Sequence, residues 1–356
     1  MRKRIVFTGG GSAGHVTVNL ALMPHFLREG WKVAYIGSEA GIERELVTRI
    51  EGVRYFGIAT GKWRRYFDWK NATDPLRVLK GVWQAHRLLR FIRPDVVFSK
   101  GGFVSVPVVL ASRLHNVPVV LHESDLTPGL ANRIAIPFAQ KVCTTFPDTL
   151  SHIPDGKGEH VGAVVREELK RGTRERGYAL TGFVPGRPVL LVMGGSLGSQ
   201  RINRAIRDNA EALLERFQIV HICGKGQVDA ALHLPGYRQY EYVQEELADL
   251  LAIADLVVSR AGSNAIFEFL ALRKPMLLIP LSQAASRGDQ VQNARSFERQ
   301  GFCEVMEEEG WSDSAFLAAV QRVADKRGEF ARRMEQAELG DPLSRLLGVI
   351  KATAGR

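Results

Sequence analysis

The stretch Arg4-Ile-Val-Phe-Thr-Gly-Gly-Gly-Ser-Ala-Gly-His15 decides the fold of this 356-residue chain. Its first five residues predict a short strand, its glycines predict a tight loop, and an apolar pattern with helical period continues to Gly30. A second apolar run over residues 32–37 predicts the next strand. A strand, loop, helix and second strand in this order form the repeating unit of a parallel α/β sheet.

The same order of elements recurs in the second half of the chain. An apolar run over residues 188–193 leads into Gly194-Gly-Ser-Leu-Gly-Ser199, and a helix over 202–214 and a strand over 218–223 are predicted to follow. Further strands are predicted over residues 95–99, 117–122, 256–259 and 275–280. We therefore predict an α/β protein with two Rossmann-like, doubly wound domains, which face each other across a cleft that holds the ligands. The predicted boundaries are 1–164 and 165–340, with a C-terminal helix in 341–356 that packs back on the first domain.

Composition narrows the class of protein. With 45% hydrophobic and 24% charged residues, the chain resembles an ordinary globular protein. No apolar run reaches the ~18 residues of a membrane-spanning helix, and the basic start lacks the apolar core of a secretory signal. Three widely spaced cysteines fit neither a disulfide framework nor a paired-cysteine metal site, so a reducing, cytoplasmic compartment is predicted.

Positive charge is concentrated in the first half of the chain. Residues 1–164 hold 22 Lys and Arg against 13 Asp and Glu, whereas residues 165–356 hold 26 against 25. The first half should therefore meet an anionic partner: a nucleic acid, a phosphorylated substrate or a lipid surface. The segment Lys62-Trp-Arg-Arg-Tyr-Phe-Asp-Trp-Lys70 interleaves cations with aromatics. Such a segment is typical of a surface that binds anionic lipid or single-stranded nucleic acid. The same residue pattern is also expected where aromatics pack in the core beside a solvated basic face.

Several polar residues follow predicted strands and are candidates for chemistry. Each glycine loop precedes a helix whose first N–H groups could bind an anion, with Ser196 adding a hydroxyl, but a purely structural turn would look alike. His15 and Glu123 come at the ends of two first-half strands and could form an acid–base pair. Glu268, near the start of a helix, could accept two ribose hydroxyls or simply favour the helix dipole.

Other catalytic motifs are missing from the sequence. It contains no Asp-x-Asp, which argues against a metal-bridged nucleotide-sugar site of that type. It also lacks H-E-x-x-H, G-x-S-x-G and clustered Cys and His, which argues against a zinc protease, an α/β-hydrolase and a structural zinc site.

The ordered set of motifs resembles one family over essentially the whole chain, the MurG-type N-acetylglucosaminyltransferases of bacterial cell-wall synthesis. The motifs are G-G-x-x-G-H at 10–15, G-G-F-V-S at 101–105, His-Glu at 122–123, Arg166, G-G-S-x-G at 194–198, Glu268, and Gln290 with Asn293. The resemblance implies the two-domain GT-B architecture. It implies an inverting transfer of GlcNAc from UDP-GlcNAc to the C4 hydroxyl of the MurNAc of lipid I, which gives lipid II.

The resemblance also implies roles for individual residues of the second domain. Val243 would contact uracil through its backbone, and Glu268 would accept the ribose hydroxyls. Ser196 and Arg166 would face the pyrophosphate. The nucleotide would be lined by Ser263, Asn264, Ala265, Ile266, Phe267 and Glu268, and Gln290 would contact the transferred sugar.

In the first domain, the resemblance implies that Ser12, Ala13 and Gly14 lie near the reacting sugars and the pyrophosphate, and that Asp125 belongs to the donor site. It makes His15 the first choice for the general base and Glu123 the second. The residues expected at the acceptor or the membrane are Phe103, Lys62, Trp63, Arg64, Arg65 and Trp69. No metal, other cofactor or nucleic-acid partner is expected, and the enzyme should lie peripherally on the cytoplasmic face of the membrane, at the anionic inner leaflet.

This sequence departs from the usual pattern of that family at several positions. Asp125 stands where an asparagine is usual, Phe103 where a tyrosine, Ala265 where a threonine, and Asp289 where a glutamine or histidine. Alternatives to the lipid II activity are a paralogous transferase for another lipid or glycoside, a UDP-sugar epimerase on the same scaffold, and a non-enzymatic module that binds nucleotides or nucleic acid.

Overall fold

The computed structural model describes residues 2–12, 14–61, 70–195, 198–282, 288–309 and 311–355, with the backbone alone for 70–75. The chain divides into two compact units, Met1–Val164 with Leu339–Arg356, and Val165–Glu338. Each unit is a parallel sheet flanked by helices, so the predicted fold class is confirmed.

The first unit is built on a seven-stranded sheet among the described residues, in the order β3-β2-β1-β4-β5-β6-β7. Its strands are β1 (Arg4–Thr8), β2 (Lys32–Ser38), β3 (Val53–Ile58), β4 (Val96–Ser99), β5 (Val119–Glu123), β6 (Lys141–Thr144) and β7 (Gly158–His160). Its helices begin with α1 (Gly14–Arg28), α2 (Ile42–Val47), α3 (Lys70–Ile92), α4 (Val106–Leu114) and α5 (Leu130–Ala135), with 3₁₀ turns at Ile136–Phe138 and Pro147–His152.

Apolar side chains cover both faces of this sheet. Ile5 and Phe7 of β1 lie in a core with α1, whereas Val6 between them lies in a second core with α3 and α4. Successive side chains of a strand point to opposite faces, and a parallel sheet covered by helices on both faces therefore needs nearly continuous apolar runs. This requirement explains why the opening strand reads Ile-Val-Phe without alternation.

The second unit has a six-stranded sheet within the described ranges, in the order β10-β9-β8-β11-β12-β13. Its strands are β8 (Val189–Met193), β9 (Gln218–Ile222), β10 (Tyr237–Tyr240), β11 (Leu256–Ser259), β12 (Met276–Leu278) and β13 (Cys303–Val305). After a 3₁₀ turn at Glu167–Arg171, its helices are α6 (Arg174–Thr181), α7 (Gln200–Asp208), α8 (Ala210–Leu214), α9 (Leu247–Ile253), α10 (Ser263–Ala271), α11 (Asp289–Arg299), α12 (Asp313–Asp325) and α13 (Arg327–Glu335).

One predicted helix is wrong in its extent. The single helix expected over residues 202–214 is two helices, α7 and α8, which meet at Asn209. The Asn209 amide donates a hydrogen bond to the carbonyl oxygen of Ala205 at 2.9 Å. Asparagine side chains compete in this way with the regular helical pattern, and the apolar period alone does not reveal the break.

The chain then returns to the first unit with α14 (Pro342–Ala354). The Asp341 carboxylate caps this helix by accepting a hydrogen bond from the Ser344 backbone N–H at 3.0 Å. Leu346 and Ile350 are fully buried in the same core as Phe7. Among the described residues, no helix is both long and apolar enough to cross a membrane.

The glycine loops after β1 and β8 occupy equivalent positions in the two sheets. The first strand of each sheet, β1 or β8, has the next strand of the chain on one side and a later strand, β4 or β11, on the other. Connections leave such neighbouring strands in opposite directions and open a crevice beyond their carboxyl ends, where ligands of doubly wound sheets bind. Both glycine loops follow the first strand at this point.

Candidate active site

The glycine loop after β1 lies against a second glycine turn, which follows β4. Gly102 has φ +79°, and a Cβ atom there would lie 2.3 Å from the Gly10 carbonyl oxygen and 3.0 Å from His15 Nδ1. Only glycine permits both this left-handed conformation and this close approach. The close fit brings the loops of β1 and β4 together around His15.

His15, in the first turn of α1, is held by the loop that precedes it. Its Nδ1 lies 3.1 Å from the Gly10 carbonyl oxygen and 3.1 Å from Ser12 Oγ. Because a carbonyl oxygen can only accept, this contact assigns the proton of the neutral imidazole to Nδ1. Nε2 is then the basic nitrogen of the ring, which is the form that a general base requires.

Glu43 binds the backbone of the glycine loop, a role that no sequence pattern indicated. It is fully buried, and its carboxylate accepts hydrogen bonds from the backbone N–H of Gly11 at 3.3 Å, from the backbone N–H of Ser38 at 3.0 Å and from the Ser38 hydroxyl. A glutamate in the first turn of α2 looks like a residue that merely favours the helix dipole, which hides this role.

Glu123, at the end of β5, organises the loop that carries Asp125. Its two oxygens accept hydrogen bonds from the backbone N–H of Asp125 at 2.9 Å, the backbone N–H of Gly129 at 3.0 Å and the amide of Asn132 at 2.8 Å. Asn132 in turn lies against Gly101, where a Cβ atom would be 2.8 Å from its side-chain oxygen. His15 thus lies against Gly102, and Glu123 is linked to Gly101 through Asn132. The engaged carboxylate of Glu123 acts as a scaffold for the loop.

In the second unit, the loop after β8 is packed as closely. Gly198 has φ +76°, and a Cβ atom there would lie 2.0 Å from the Cys223 carbonyl oxygen. The next residue, Ser199, caps α7 by accepting a hydrogen bond from the Ile202 backbone N–H at 3.4 Å. The loop is therefore anchored at its end beside the start of α7.

Arg260, directly after β11, ties this loop to the rest of the sheet edge and was given no role by the sequence analysis. Its buried guanidinium donates to Ser199 Oγ at 2.8 Å and to the carbonyl oxygen of Ile279 at 3.1 Å, and pairs with Glu308 at 2.7 Å. Leaving a buried charge without its partner is costly, so Arg260 and Glu308 depend on each other. No local sequence signal reveals a pair that is 48 residues apart in the chain.

Glu268, in the second turn of α10, is paired with Arg166. Arg166 Nε donates to one carboxylate oxygen at 2.7 Å, and its NH2 group donates to the other at 2.9 Å. Glu268 is 7% exposed, whereas the Arg166 side chain is 37% exposed. Burial acts to lower the pKa of Arg166, but the hydrogen bonds and charge of Glu268 outweigh it and raise that pKa. The family resemblance implies ribose at Glu268 and pyrophosphate at Arg166, and in the structure these two side chains bind each other.

The first turn of α10 begins without a side-chain cap. Ser263 and Ile266 are buried, whereas Asn264, Ala265 and Phe267 are partly exposed. Gly262 precedes the helix without a capping side chain, and the first turn carries no acidic residue. The N-terminal N–H groups of a helix favour an anion at such a position.

The remaining predicted donor residues occupy loops of the same unit. Val243 is buried in the connection between β10 and α9. Gln290 lies in the first turn of α11, and its carbonyl oxygen accepts a hydrogen bond from the Leu281 backbone N–H at 3.1 Å. Asn293 is fully buried and donates to the carbonyl oxygen of Ala261 at 3.3 Å, so it ties α11 to the loop before α10.

An exposed apolar face runs along α3 in the first unit. Leu76, Leu79 and Trp83 recur at helical spacing, with 68%, 65% and 57% of their surface exposed. The Arg87 guanidinium lies 4.9 Å from the centre of the Trp83 ring. Other exposed cations on this helix are Arg77, Lys80 and Arg90.

Some of the predicted site residues fall in the gaps between the described ranges. The following lie outside the described residues: Ala13, Lys62, Trp63, Arg64, Arg65, Trp69 and Ser196. Ser12 is exposed beside His15, whereas Gly14, Phe103 and Asp125 are partly buried. In the part of the chain that the structure describes, no group of three or more His, Cys, Asp and Glu side chains could hold a metal ion.

Comparison with known families gives the class of this protein. Residues 5–144 match the glycosyltransferase family 28 N-terminal domain, and residues 189–344 match the glycosyltransferase family 28 C-terminal domain. Two doubly wound units with glycine loops at their switch points are thus the two halves of a GT-B glycosyltransferase.

Individual relatives narrow the class further. The chain is 60% identical, over 99% of its length and 100% of the relative's, to the UDP-N-acetylglucosamine–N-acetylmuramyl-(pentapeptide) pyrophosphoryl-undecaprenol N-acetylglucosamine transferase of Geobacillus thermodenitrificans. A protein of the same name in Clostridium perfringens is 51% identical over 99% of this chain and 98% of the relative. The chain belongs to this family of UDP-GlcNAc-dependent hexosyltransferases.

Solved structures agree with this fold. The crystal structure of Acinetobacter baumannii MurG superposes with a TM-score of 0.75 at 23% identity and covers 99% of this chain and 100% of that one. The kitacinnamycin glycosyltransferase superposes with a TM-score of 0.74 at 17% identity and covers 99% of this chain and 97% of that one.

Proposed function

We propose that this protein transfers GlcNAc from UDP-GlcNAc to the C4 hydroxyl of the MurNAc of lipid I, with inversion at the anomeric carbon, and so forms lipid II. The observation that carries this proposal is the likeness from end to end, at 60% identity, to a transferase whose name states that donor and that acceptor. The geometry of both units supports it.

The donor nucleotide would bind the second unit. The Glu268 carboxylate would accept the two ribose hydroxyls, and the Arg166 guanidinium, together with Ser196, would meet the pyrophosphate. Because Arg166 holds both oxygens of Glu268 in the free protein, UDP must exchange these bonds for its own. The Arg166 side chain is partly exposed and can turn to a phosphate while it stays in a charge-assisted contact.

Other donor contacts would come mainly from backbone. Ser263, Asn264 and Ala265 would offer the N–H groups of the first turn of α10, with Ile266 and Phe267 lining the nucleotide beside them. Val243 would recognise uracil through its backbone. Gln290 uses its carbonyl oxygen on Leu281, so its amide N–H₂ would be the end that meets the sugar.

The acceptor would bind the first unit, where Ser12, Ala13, Gly14 and Asp125 would also reach the donor sugar and pyrophosphate. His15 Nε2 would remove the proton of the C4 hydroxyl, while the oxygen attacks the anomeric carbon. The bond from that carbon to the UDP oxygen breaks, and UDP leaves with the electron pair. A single displacement inverts the carbon, and Glu123 would position the Asp125 loop rather than act as the base.

We propose that the reaction needs no metal or other cofactor. Negative charge develops on the departing UDP, and oriented N–H donors with a cation can stabilise it without reorganising. Arg166 and the uncapped start of α10 supply both kinds of group.

The enzyme would act peripherally on the cytoplasmic face of the membrane. The exposed Leu76, Leu79 and Trp83 of α3 would enter the interface, while the cations around them would meet anionic headgroups of the inner leaflet. Phe103 and the aromatic–basic segment, with Lys62, Trp63, Arg64, Arg65 and Trp69, would contribute on the acceptor or membrane side. The excess of positive charge in residues 1–164 suits a pyrophosphate-bearing lipid as well.

The proposal is tested by measuring UDP release from UDP-GlcNAc with and without a soluble lipid I analogue, with mass detection of the disaccharide product. Release that depends on the acceptor, with the mass gain of one GlcNAc, is the expected result. Release of UDP with a free sugar product that has changed its configuration at C2 would favour an epimerase. Binding of UDP-GlcNAc without transfer would point to another acceptor and overturn the lipid II assignment.

A further inference from the structure

A single peptide group links a buried carboxyl group to His15. The carbonyl oxygen of Gly10 lies 3.1 Å from His15 Nδ1. The backbone N–H of Gly11 belongs to the same peptide group and donates to Glu43 Oε2 at 3.3 Å. The two polar ends of one peptide group thus meet two different side chains, and its orientation decides what His15 Nδ1 faces.

The fold leaves a close-fitting space for the Glu43 carboxyl group. Glu43 is fully buried. A Cβ atom on Gly10 would lie 2.5 Å from its carboxyl carbon and 2.7 Å from each of its oxygens, and a Cβ atom on Gly41 would lie 2.3 Å from Oε2. Neither position has room for a side chain while the carboxyl group stays in place. The carboxyl group therefore lies directly against the glycine loop.

The two oxygens of Glu43 accept hydrogen bonds from two different segments of the chain. Oε1 accepts from the Ser38 backbone N–H at 3.0 Å and from the Ser38 hydroxyl, whereas Oε2 accepts from the Gly11 backbone N–H. Both oxygens are therefore needed as acceptors. An amide in this place would keep one acceptor oxygen and would turn an N–H₂ group toward the other donor.

The peptide group that Glu43 holds is one that could otherwise turn over. It lies between two glycines, and Gly11 has φ +84°. Glycine tolerates backbone angles that other residues avoid, so a peptide between two glycines can reverse at little steric cost. After such a reversal the Gly11 N–H would face His15, and the Gly10 carbonyl oxygen would face Glu43. Oε2, which accepts in the observed arrangement, would then meet another acceptor, so Glu43 favours the observed orientation.

The orientation of this peptide selects the basic nitrogen of His15. A carbonyl oxygen that faces Nδ1 requires the proton on Nδ1 and leaves Nε2 basic, whereas an N–H that faces Nδ1 requires the opposite tautomer. Ser12 Oγ also lies 3.1 Å from Nδ1, but a hydroxyl can donate or accept and therefore fits either tautomer. The Gly10–Gly11 peptide is thus a contact that distinguishes between the two.

We propose that Glu43 is a positioning residue for sugar transfer: it holds the Gly10–Gly11 peptide so that His15 carries its proton on Nδ1 and uses Nε2 to deprotonate the acceptor. Glu43 acts on His15 through this peptide group. The inference rests on the proposed function, because that function gives His15 Nε2 the role of the general base. The proposed nucleotide site belongs to the other unit, so UDP binding should not depend on Glu43.

The test measures the tautomer of His15 by NMR of the imidazole nitrogens, in protein with isotopically labelled histidine and at a pH at which the ring is neutral. His15→Ala identifies the signals of this ring among the nine histidines. The wild type should carry the proton on Nδ1. In Glu43→Gln the amide oxygen should stay with the two donors of Ser38, so the N–H₂ group faces the peptide. That group attracts the Gly10 carbonyl oxygen, and the proton of His15 should move to Nε2.

Transfer activity should follow the tautomer. Glu43→Gln should lower kcat/KM for transfer to the lipid I analogue roughly tenfold, as the loss of one hydrogen bond does, while the Kd of UDP stays unchanged. Ser38→Ala is the matched control, because it removes a donor to the same carboxyl group and leaves the Gly11 contact in place. It should keep the proton on Nδ1 and the wild-type kcat/KM. A loss of stability alone would lower the Tm of either variant without moving this proton.

The outcomes separate the two proposals. Wild-type protein that makes no disaccharide overturns the proposed function and the role of Glu43 with it. An active wild type with its proton on Nε2, an unchanged tautomer in Glu43→Gln, or an equal change in Ser38→Ala overturns the role of Glu43 alone. If Glu43→Gln does not fold, Glu43→Asp decides. Its carboxyl group is one methylene shorter and should keep the two donors of Ser38 and lose the single donor of Gly11, so an unchanged tautomer in this variant also overturns the role.

Discussion

Replacing Glu268 by alanine is expected to remove most of the affinity for UDP while leaving the second unit folded. The two carboxylate oxygens are the groups that we propose for the ribose hydroxyls, and in the free protein both accept from Arg166. The glutamate lies on α10, away from the first turn, so alanine keeps the helix intact. The Arg166 side chain is 37% exposed, and its guanidinium can return to water when its partner is lost.

The size of the effect follows from the number of bonds exchanged. A hydrogen bond to a charged group contributes about 1.5–3 kcal/mol, and the ribose offers two of them to Glu268. The hydrogen bonds from Arg166 to Glu268 that break on binding are replaced by contacts of Arg166 with a phosphate, so their contributions to the binding free energy largely cancel. A net loss of about 3 kcal/mol corresponds to a roughly 100-fold increase in the Kd of UDP.

Calorimetric titration with UDP and with 2′,3′-dideoxy-UDP isolates the proposed contact. The wild type should bind the dideoxy nucleotide roughly 100-fold more weakly than UDP, whereas Glu268→Ala should bind both alike. Glu211→Ala, which changes an exposed glutamate on α8, is the matched control and should behave as wild type. Equal binding of the two nucleotides by the wild type, or continued discrimination by Glu268→Ala, would refute the assignment of the ribose to this carboxylate.

Other changes test the remaining features. His15→Ala should lower kcat by roughly 100- to 10,000-fold, as the loss of a general base does, with UDP affinity unchanged; a large loss of both, by stopped-flow and calorimetry, would exclude the role. Gly102→Ala places a Cβ 2.3 Å from the Gly10 carbonyl oxygen. The variant should therefore have a lower Tm in thermal unfolding and should also lose transfer activity, and an unchanged Tm would contradict the close packing. Glu43→Gln replaces a fully buried acceptor of N–H groups by an amide, and should lower kcat/KM roughly tenfold through the glycine loop without affecting UDP binding. Leu79→Glu should lower the fraction of protein that sediments with anionic vesicles, whereas a soluble acceptor should be turned over at the wild-type rate. Undiminished vesicle binding would mean that a surface other than α3 contacts the membrane.

Local patterns predicted most of the elements that position the site. The strands around residues 4–8, 32–37, 188–193 and 256–259 are confirmed, since their apolar runs reflect burial on both faces of a parallel sheet. The single helix predicted over 202–214 was wrong in its extent: two helices meet at Asn209, where the side-chain amide donates to the Ala205 carbonyl oxygen in addition to the backbone N–H, and the apolar period does not show this. The residue roles that follow from the resemblance remain predictions, although the structure gives His15 the tautomer that its role requires.

The sequence by itself determined the two doubly wound halves, the place of each glycine loop and the family, because apolar period, glycine and motif order are all written in neighbouring residues. Only the tertiary structure decided how the polar side chains pair. Arg166 meets Glu268 across 102 residues, Lys100 meets Ser124 across 24, and Arg260 meets Glu308 across 48. These partners come together because folding brings segments that are distant in the chain into contact. Burial then requires each charge or donor to find a partner that the local sequence does not specify.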